Sequence, residues 1–242
     1  MIYYSQRDPC WADYVYSAKP PHTETLRSAG CGVTCAASVA ASLAGVPVTP
    51  PQMADYAVAY GYRIAGVGAA NALFLAIAAQ YGLGYAETQS SATAAKCVQS
   101  GGLAVCGTTG KPNRIFSTGG HFFLLAGAEG ERWKLWDPDC YAGKYAQYGR
   151  EKYAEVKDGF VWVDRTIAAA EINRYFCFAR KEKPMFEDVK EGDYAYKHIK
   201  ALRELGIVNG DDAGNFRPDD PITRRDAAIL IANALRAAGV AW

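Results

Sequence analysis

The sequence predicts an α+β domain followed by a small all-α module. Three observations carry that expectation. Apolar residues recur at helical spacing early in the chain, over 33–43, 52–60 and 71–81, the period of an amphipathic helix. Short runs rich in β-branched and aromatic residues come later, at 103–106, 121–126, 133–136, 160–163 and 175–178. Helices followed by strands favour a segregated antiparallel sheet over repeated βαβ units. The texture then changes after a charged run that ends in proline, Arg180-Lys181-Glu182-Lys183-Pro184, a combination that marks a domain boundary. The expected domains are 1–182 and 183–242.

Within the first domain, Thr49 and Pro50 read as the N-cap and first residue of the second helix. Gly66-Val67-Gly68 is the nearest approach to a dinucleotide fingerprint. It follows no predicted strand and has Asn71 where a third glycine is needed, so it reads as a loop. In the second domain a helix is expected over 194–205, with Gly206 as its stop. A turn-rich loop follows at 209–218, and Thr223 caps a second helix with Asp226 in the capping-box place. The acidic residues between Asp211 and Asp220 lack the alternating ligands and terminal glutamate of a calcium loop and read as a turn.

Composition narrows the function classes. The 242 residues are 50% apolar and 21% charged, with a formal net charge of +1. No basic cluster interleaves with aromatics, so neither nucleic acid nor an anionic membrane is an expected partner. No stretch reaches the roughly 18 to 20 apolar residues of a membrane span. Residues 1–6 lack the charged and apolar regions of a secretory signal. The seven cysteines show no CxxC pairing, and thiols kept mostly reduced are the expectation.

The chemistry-bearing residues are few and ordered. Cys31 stands between Gly30 and Gly32 at the head of a helical run, where free N–H groups and the helix dipole favour a thiolate. The small neighbours would let a substrate backbone approach. His121, one of three histidines, begins an apolar strand after Gly119-Gly120, whose lack of side chains would open space for a ligand. Asp137 ends the next strand, Trp133-Lys134-Leu135-Trp136, where it would accept the imidazole N–H and fix the tautomer. Nucleophile, base and orienting carboxylate is the set that covalent acyl transfer needs. The developing oxyanion needs donors, for which the Cys31 backbone N–H and the Gln6 amide are candidates. Cys35, one helical turn on, reads as core. A zinc site from Cys31, Cys35 and His121 lacks a fourth ligand, and no Gly-x-Ser-x-Gly elbow exists. His22 and His198 lie in other settings. No cofactor or metal is expected.

Two resemblances add to this reading. Ser5-Gln6-Arg7-Asp8-x-x-Trp11-Ala12, Gly30-Cys31-Gly32, Gly119-Gly120-His121-Phe122 and Asp137-Pro138 together resemble the C39-like cysteine peptidases of the papain-like superfamily, over about residues 2–140. The resemblance implies a papain-like fold, with Cys31 as nucleophile, His121 as base, Asp137 as orienting residue and Gln6 in the oxyanion hole. Val33-Thr34-Cys35 departs from relatives that carry proline after the second glycine. The second resemblance covers 186–236: Phe186-x-Asp188-Val189, Leu205-Gly206-Ile207-Val208-Asn209-Gly210, Gly214-Asn215-Phe216-Arg217-Pro218 and Ile222-Thr223-Arg224-Arg225-Asp226 resemble a single S-layer homology module. Such modules bind pyruvylated secondary cell-wall polysaccharide, which implies Arg224, beside Thr223, as the partner of the ketal carboxylate. Relatives pack three modules about a pseudo-threefold axis, and this chain has one, so three chains are expected to associate through it.

An acyl-transfer centre joined to a wall module points to hydrolysis of a peptidoglycan amide bond at the bacterial cell wall. The missing signal suits an endolysin of phage or prophage origin, cytoplasmic until a membrane pore releases it, or a trimmed secreted chain. The alternatives are a surface-anchored cysteine peptidase acting on proteins or leader peptides, and a non-catalytic wall-binding protein.

Overall fold

The computed structural model describes residues 1–181 and 185–240. It divides into two compact units, Met1–Lys181 and Glu182–Trp242. The expected boundary residues Glu182, Lys183 and Pro184 lie outside the described residues.

The first unit is α+β and built on one antiparallel sheet. In chain order it contains α1 (Leu26–Ala29), α2 (Cys31–Val39, continued by a wider turn over Ala40–Ala44), α3 (Pro50–Ala59), β1 (Arg63–Ile64), β2 (Gly68–Ala69), α4 (Ala72–Gln80), β3 (Leu83–Thr88) and α5 (Ser91–Gln99). β4 (Leu103–Thr108), β5 (His121–Glu129), β6 (Arg132–Trp136), β7 (Ala154–Lys157), β8 (Phe160–Asp164), α6 (Arg165–Glu171) and β9 (Ile172–Arg180) follow. Seven strands form the main sheet in the order β3-β9-β4-β5-β6-β8-β7, every pair antiparallel.

Both faces of this sheet are covered, which explains why its central strands read as apolar runs instead of alternating ones. Leu103 and Val105 of β4, Leu124 of β5, and Phe176 and Phe178 of β9 pack with α2, α3 and α4. Their neighbours Ala104, Cys106, Phe123, Leu125, Tyr175 and Cys177 turn to the other face, against Ala94 of α5 and Ala168 of α6. That is the two-residue period of a strand read on two cores.

Some local readings change. The first helix starts at Cys31, two residues before its apolar spacing begins. Gly66-Val67-Gly68 belongs to a small β1–β2 hairpin, with Ile64 opposite Gly68. At the second helix, the Thr49 N–H donates to Gln52 Oε1 at 2.8 Å across the first turn. β3, α5, α6 and β7 had no strong pattern in sequence; α5 has a single buried residue, Ala94, and β7 lies at the sheet edge.

The second unit is small and all-α, with α7 (Tyr196–Glu204) and α8 (Arg224–Ala237). Its core is Phe186, Val189, Ile199, Ile207 and Val208. The Thr223 hydroxyl accepts the Asp226 N–H at 3.1 Å and caps α8. Asp211 is occupied by its own turn: Oδ1 accepts the N–H groups of Ala213 and Asn215, and Oδ2 pairs with Arg217 at 2.9 Å.

Candidate active site

Cys31 is the first residue of α2, directly after the Gly30 N-cap. The glycines on either side of it are imposed by packing. A Cβ on Gly30 would come within 2.4 Å of the Leu26 carbonyl oxygen, and one on Gly32 within 2.6 Å of the Ala69 Cβ. Their role as openings for a substrate is therefore corrected: the absent side chains let α2 seat against α1 and β2. The other glycine pair does leave room, since a Cβ on Gly119 would meet nothing within 4 Å.

His121 opens β5 opposite Thr108 of β4. Its Nε2 lies 2.7 Å from Asp137 Oδ1. Nδ1 is thus the nitrogen left for Cys31, whose thiol is close enough for the two groups to shift each other's proton affinity. The Phe122 backbone N–H also favours the charged form of the Cys31 sulfur. Cys31, His121 and Asp137 are therefore brought together in one row, from the start of a helix, the start of a strand and the end of the next strand.

Asp137 is 2% exposed and fully engaged. Oδ1 also accepts the Asp139 N–H at 2.9 Å, and Oδ2 accepts Lys144 Nζ and the Tyr145 hydroxyl, each at 2.6 Å. Lys144 is itself buried, at 3% exposure, and donates further to the Asp139 carbonyl at 3.3 Å. Sequence reasoning missed Lys144 and Tyr145. They sit in a single 3-10 turn, Lys144–Ala146, after β6, too short for any periodicity to separate an inward lysine from a solvated one.

The electrostatics follow from this row. Burial raises the Cys31 thiol, but the His121 hydrogen bond and charge and the Phe122 N–H outweigh it, and the net shift is downward from the ordinary thiol value. Burial alone would lower His121; the Asp137 carboxylate and the Cys31 sulfur reverse that and raise it to about 9. Burial works against the Asp137 carboxylate too, yet His121 and Lys144 hold it well below the usual carboxylate range. Opposite shifts of thiol and imidazole favour a thiolate–imidazolium pair at neutral pH. Cys35 lies in the core, where burial pushes its thiol well above the ordinary value. Among the described residues, no group of three or more His, Cys, Asp or Glu side chains could hold a metal ion.

Gln6 is pinned beside this row. Its backbone N–H donates to the Pro138 carbonyl at 2.9 Å. Its Nε2 donates to the Arg27 carbonyl at 2.8 Å and to Asp139 Oδ1 at 3.2 Å. Both amide hydrogens are therefore taken, and Oε1 is buried without a partner. Asp139 is also held by Arg7 Nε at 2.6 Å.

A cleft of about 350 Å³ opens over Cys31 and His121. Residues of the β1–β2 hairpin, Phe122 and Phe176 line it, together with Asn173 and Arg174. Buried Arg63 fixes the hairpin: it pairs with Glu24 at 2.7 Å and donates to the carbonyls of Tyr16 and Gly68, each at 3.0 Å. In the second unit, Thr223 and exposed Arg224 stand at the start of α8. A hollow of about 700 Å³ in that unit is lined by Arg217, Asp226 and Ile229 among others, and Arg224 is not one of its walls.

Comparison with known proteins bears on both units. Residues 186–228 match the model of the S-layer homology domain, a cell-surface module. A search of curated proteins finds no match. Among solved structures the chain is similar to a Bacillus anthracis protein assigned as a C39-like peptidase. That similarity has a TM-score of 0.42 at 15% identity and covers 64% of this chain and 90% of the other. The chain thus joins an antiparallel α+β unit to a small all-α unit whose residues 186–228 match the S-layer homology domain.

Proposed function

We propose that this chain is a cysteine hydrolase that cuts an amide bond of peptidoglycan while its C-terminal module holds it at wall polysaccharide. The observation that carries the hydrolytic part is that Cys31 and His121 line an open cleft, with buried Asp137 bonded to His121 behind them. The Cys31 thiolate attacks the scissile carbonyl carbon; a C–S bond forms and the carbonyl electrons move to oxygen. The Cys31 N–H, which as the first residue of α2 has no intrahelical acceptor, donates to that oxyanion. In this reading Gln6 is the second donor, its Nε2 exchanging the Asp139 carboxylate for the oxyanion. The imidazolium of His121 gives its proton to the leaving nitrogen, the C–N bond breaks, and a thioester remains. His121 then takes a proton from the water that attacks the thioester, and the Cys31 thiolate leaves.

Peptidoglycan is chosen as substrate because the S-layer homology match brings the hydrolase to a wall polymer, where tethering raises its effective concentration. In the module, Arg224 offers a guanidinium fork for a carboxylate on that polysaccharide, and the Thr223 cap holds its helix start. The direct test digests purified walls with the full chain and measures new amino groups, followed by mass spectrometry of the products. New amines at one kind of linkage are expected. Release of reducing sugars only, or no release, would sink the reading.

The same reading includes self-association of the module. Leu230 and Ala234 of α8 pack on the module core, yet none of its fourteen residues is buried. Ile231 and Leu235, one turn apart on the same face, remain 62 and 42% exposed. A helix seldom keeps exposed apolar neighbours of this size in water without a partner. Light scattering of the full chain should give three times the chain mass, and Ile231→Asp should return it to one. A monomer at micromolar concentration for the unaltered chain would refute the trimer.

A further inference from the structure

We propose that Asn173 and Arg174 form a carboxylate-binding subsite in the wall of the cleft, so that the substrate is a peptide with a free carboxylate near the scissile amide. This rests on the hydrolase reading above and names the feature of the substrate that the cleft selects.

The subsite is made by a break in the β9 ladder. Gly107 of β4 pairs with Arg174, but the next residue, Thr108, pairs with Ile172, which leaves Asn173 as an extra residue. The packing shows the same break. Tyr175 and Cys177 face the α5 side of the sheet, so regular alternation would send Asn173 there too and put Ile172 on the cleft side. Ile172 instead packs on the α5 side, and both Asn173 and Arg174 line the cleft. A bulge of this kind re-aims side chains next to a site. Gly107 leaves them the space: a Cβ there would stand 3.3 Å from the Phe122 ring and 3.6 Å from Asn173 Oδ1.

The charges agree. Apart from the imidazole, Arg174 brings the one cationic side chain among the described residues lining the cleft, and no Asp or Glu lines it. Its present partner is Glu87, 2.6 Å from Nη1, but the two side chains are 40 and 41% exposed. An exposed pair of this sort contributes little. A substrate carboxylate at this place can take both arms of the guanidinium fork together with the Asn173 amide, a charge-assisted and bidentate pairing. Ile64 and Val67 on the opposite hairpin, 44 and 75% exposed, offer aliphatic contact to the rest of a short peptide.

The test uses the full chain and measures alkylation of Cys31 by iodoacetamide, read by peptide mass spectrometry. The probes are acetyl-Ala-Glu-amide and acetyl-Ala-Gln-amide, which differ in one carboxylate. The acidic probe should protect Cys31 at about tenfold lower concentration than the neutral one. Arg174→Leu should erase that difference, and Glu87→Gln should strengthen protection by the acidic probe. Equal protection by both probes, or an unchanged preference in Arg174→Leu, overturns the subsite. Hydrolysis is read separately on walls whose carboxyl groups are free or converted to carboxamides. Loss of activity on amidated walls supports the subsite in the working enzyme. Absence of activity on both walls with selective protection retained counts against the hydrolase reading and leaves the subsite standing.

Discussion

Cys31→Ala should abolish release of amino groups from purified walls, by more than about 10⁴-fold, and leave wall binding unchanged. The effect is large because Cys31 is the one thiol among the described residues lining the cleft. Cys35, one turn along α2, is enclosed in the core with its thiol raised well above the ordinary value. Binding should survive because the substitution lies in the first unit and the S-layer homology match lies in 186–228. The substitution removes one sulfur at a half-buried position, so the melting temperature should move little. A pull-down on walls and an amine assay, run on the same preparation, separate the two activities. Hydrolysis retained by Cys31→Ala would disprove the thioester route outright.

Lys144→Met is expected to be the second most damaging change, through charge instead of contact with substrate. Lys144 is buried and 2.6 Å from Asp137 Oδ2. Breaking a buried ion pair from one side costs about 3 kcal/mol, and here His121, Tyr145 and the Asp139 N–H still hold the carboxylate. The pH profile carries the sharper signature. In the unaltered chain the imidazolium is lost near pH 9, so kcat/KM should fall on the alkaline side there, and on the acid side as the lowered Cys31 thiol takes up its proton. Without Lys144 the Asp137 charge acts on His121 unopposed, and the alkaline limb should move upward. A purely structural role for Lys144 would lower activity at every pH and leave the limb in place. The same shift affects stability. His121 is raised in the folded state, so its contribution is complete below an unfolded value of about 6.5 and is lost as pH rises through about 9.

How much of this was legible in sequence depends on which interactions a residue's neighbours in the chain can reveal. The central strands β4, β5 and β9 were legible because burial on both faces leaves a continuous apolar run. α5 and β3 were not, since each shows the solvent one side: α5 buries only Ala94, and β3 is an edge strand. Cys31, His121 and Asp137 stood out by their positions at element ends, next to glycine or proline. The bulge at Asn173 left no trace, because the string Ile-Asn-Arg-Tyr is compatible with either alternation. The Gly30 and Gly32 reading went astray for a related cause. A glycine in sequence announces a missing side chain, and only the packed structure tells what stands in its place: here Leu26 and Ala69.

The sequence by itself determined the fold class, the two-part organisation and the three residues whose types can carry acyl transfer. Hydrophobic periodicity, element-end chemistry and short motifs are local properties, and they survive in a linear string. The tertiary structure alone decided that His121 presents Nε2 to Asp137, that Lys144 and Tyr145 grip the far carboxylate oxygen, and that Gln6 is held by Arg27 and Asp139. It also put Arg174 in the same cleft as Cys31. Those facts depend on charge and hydrogen-bond partners far apart in the chain, and burial makes each of them strong enough to set a proton's position.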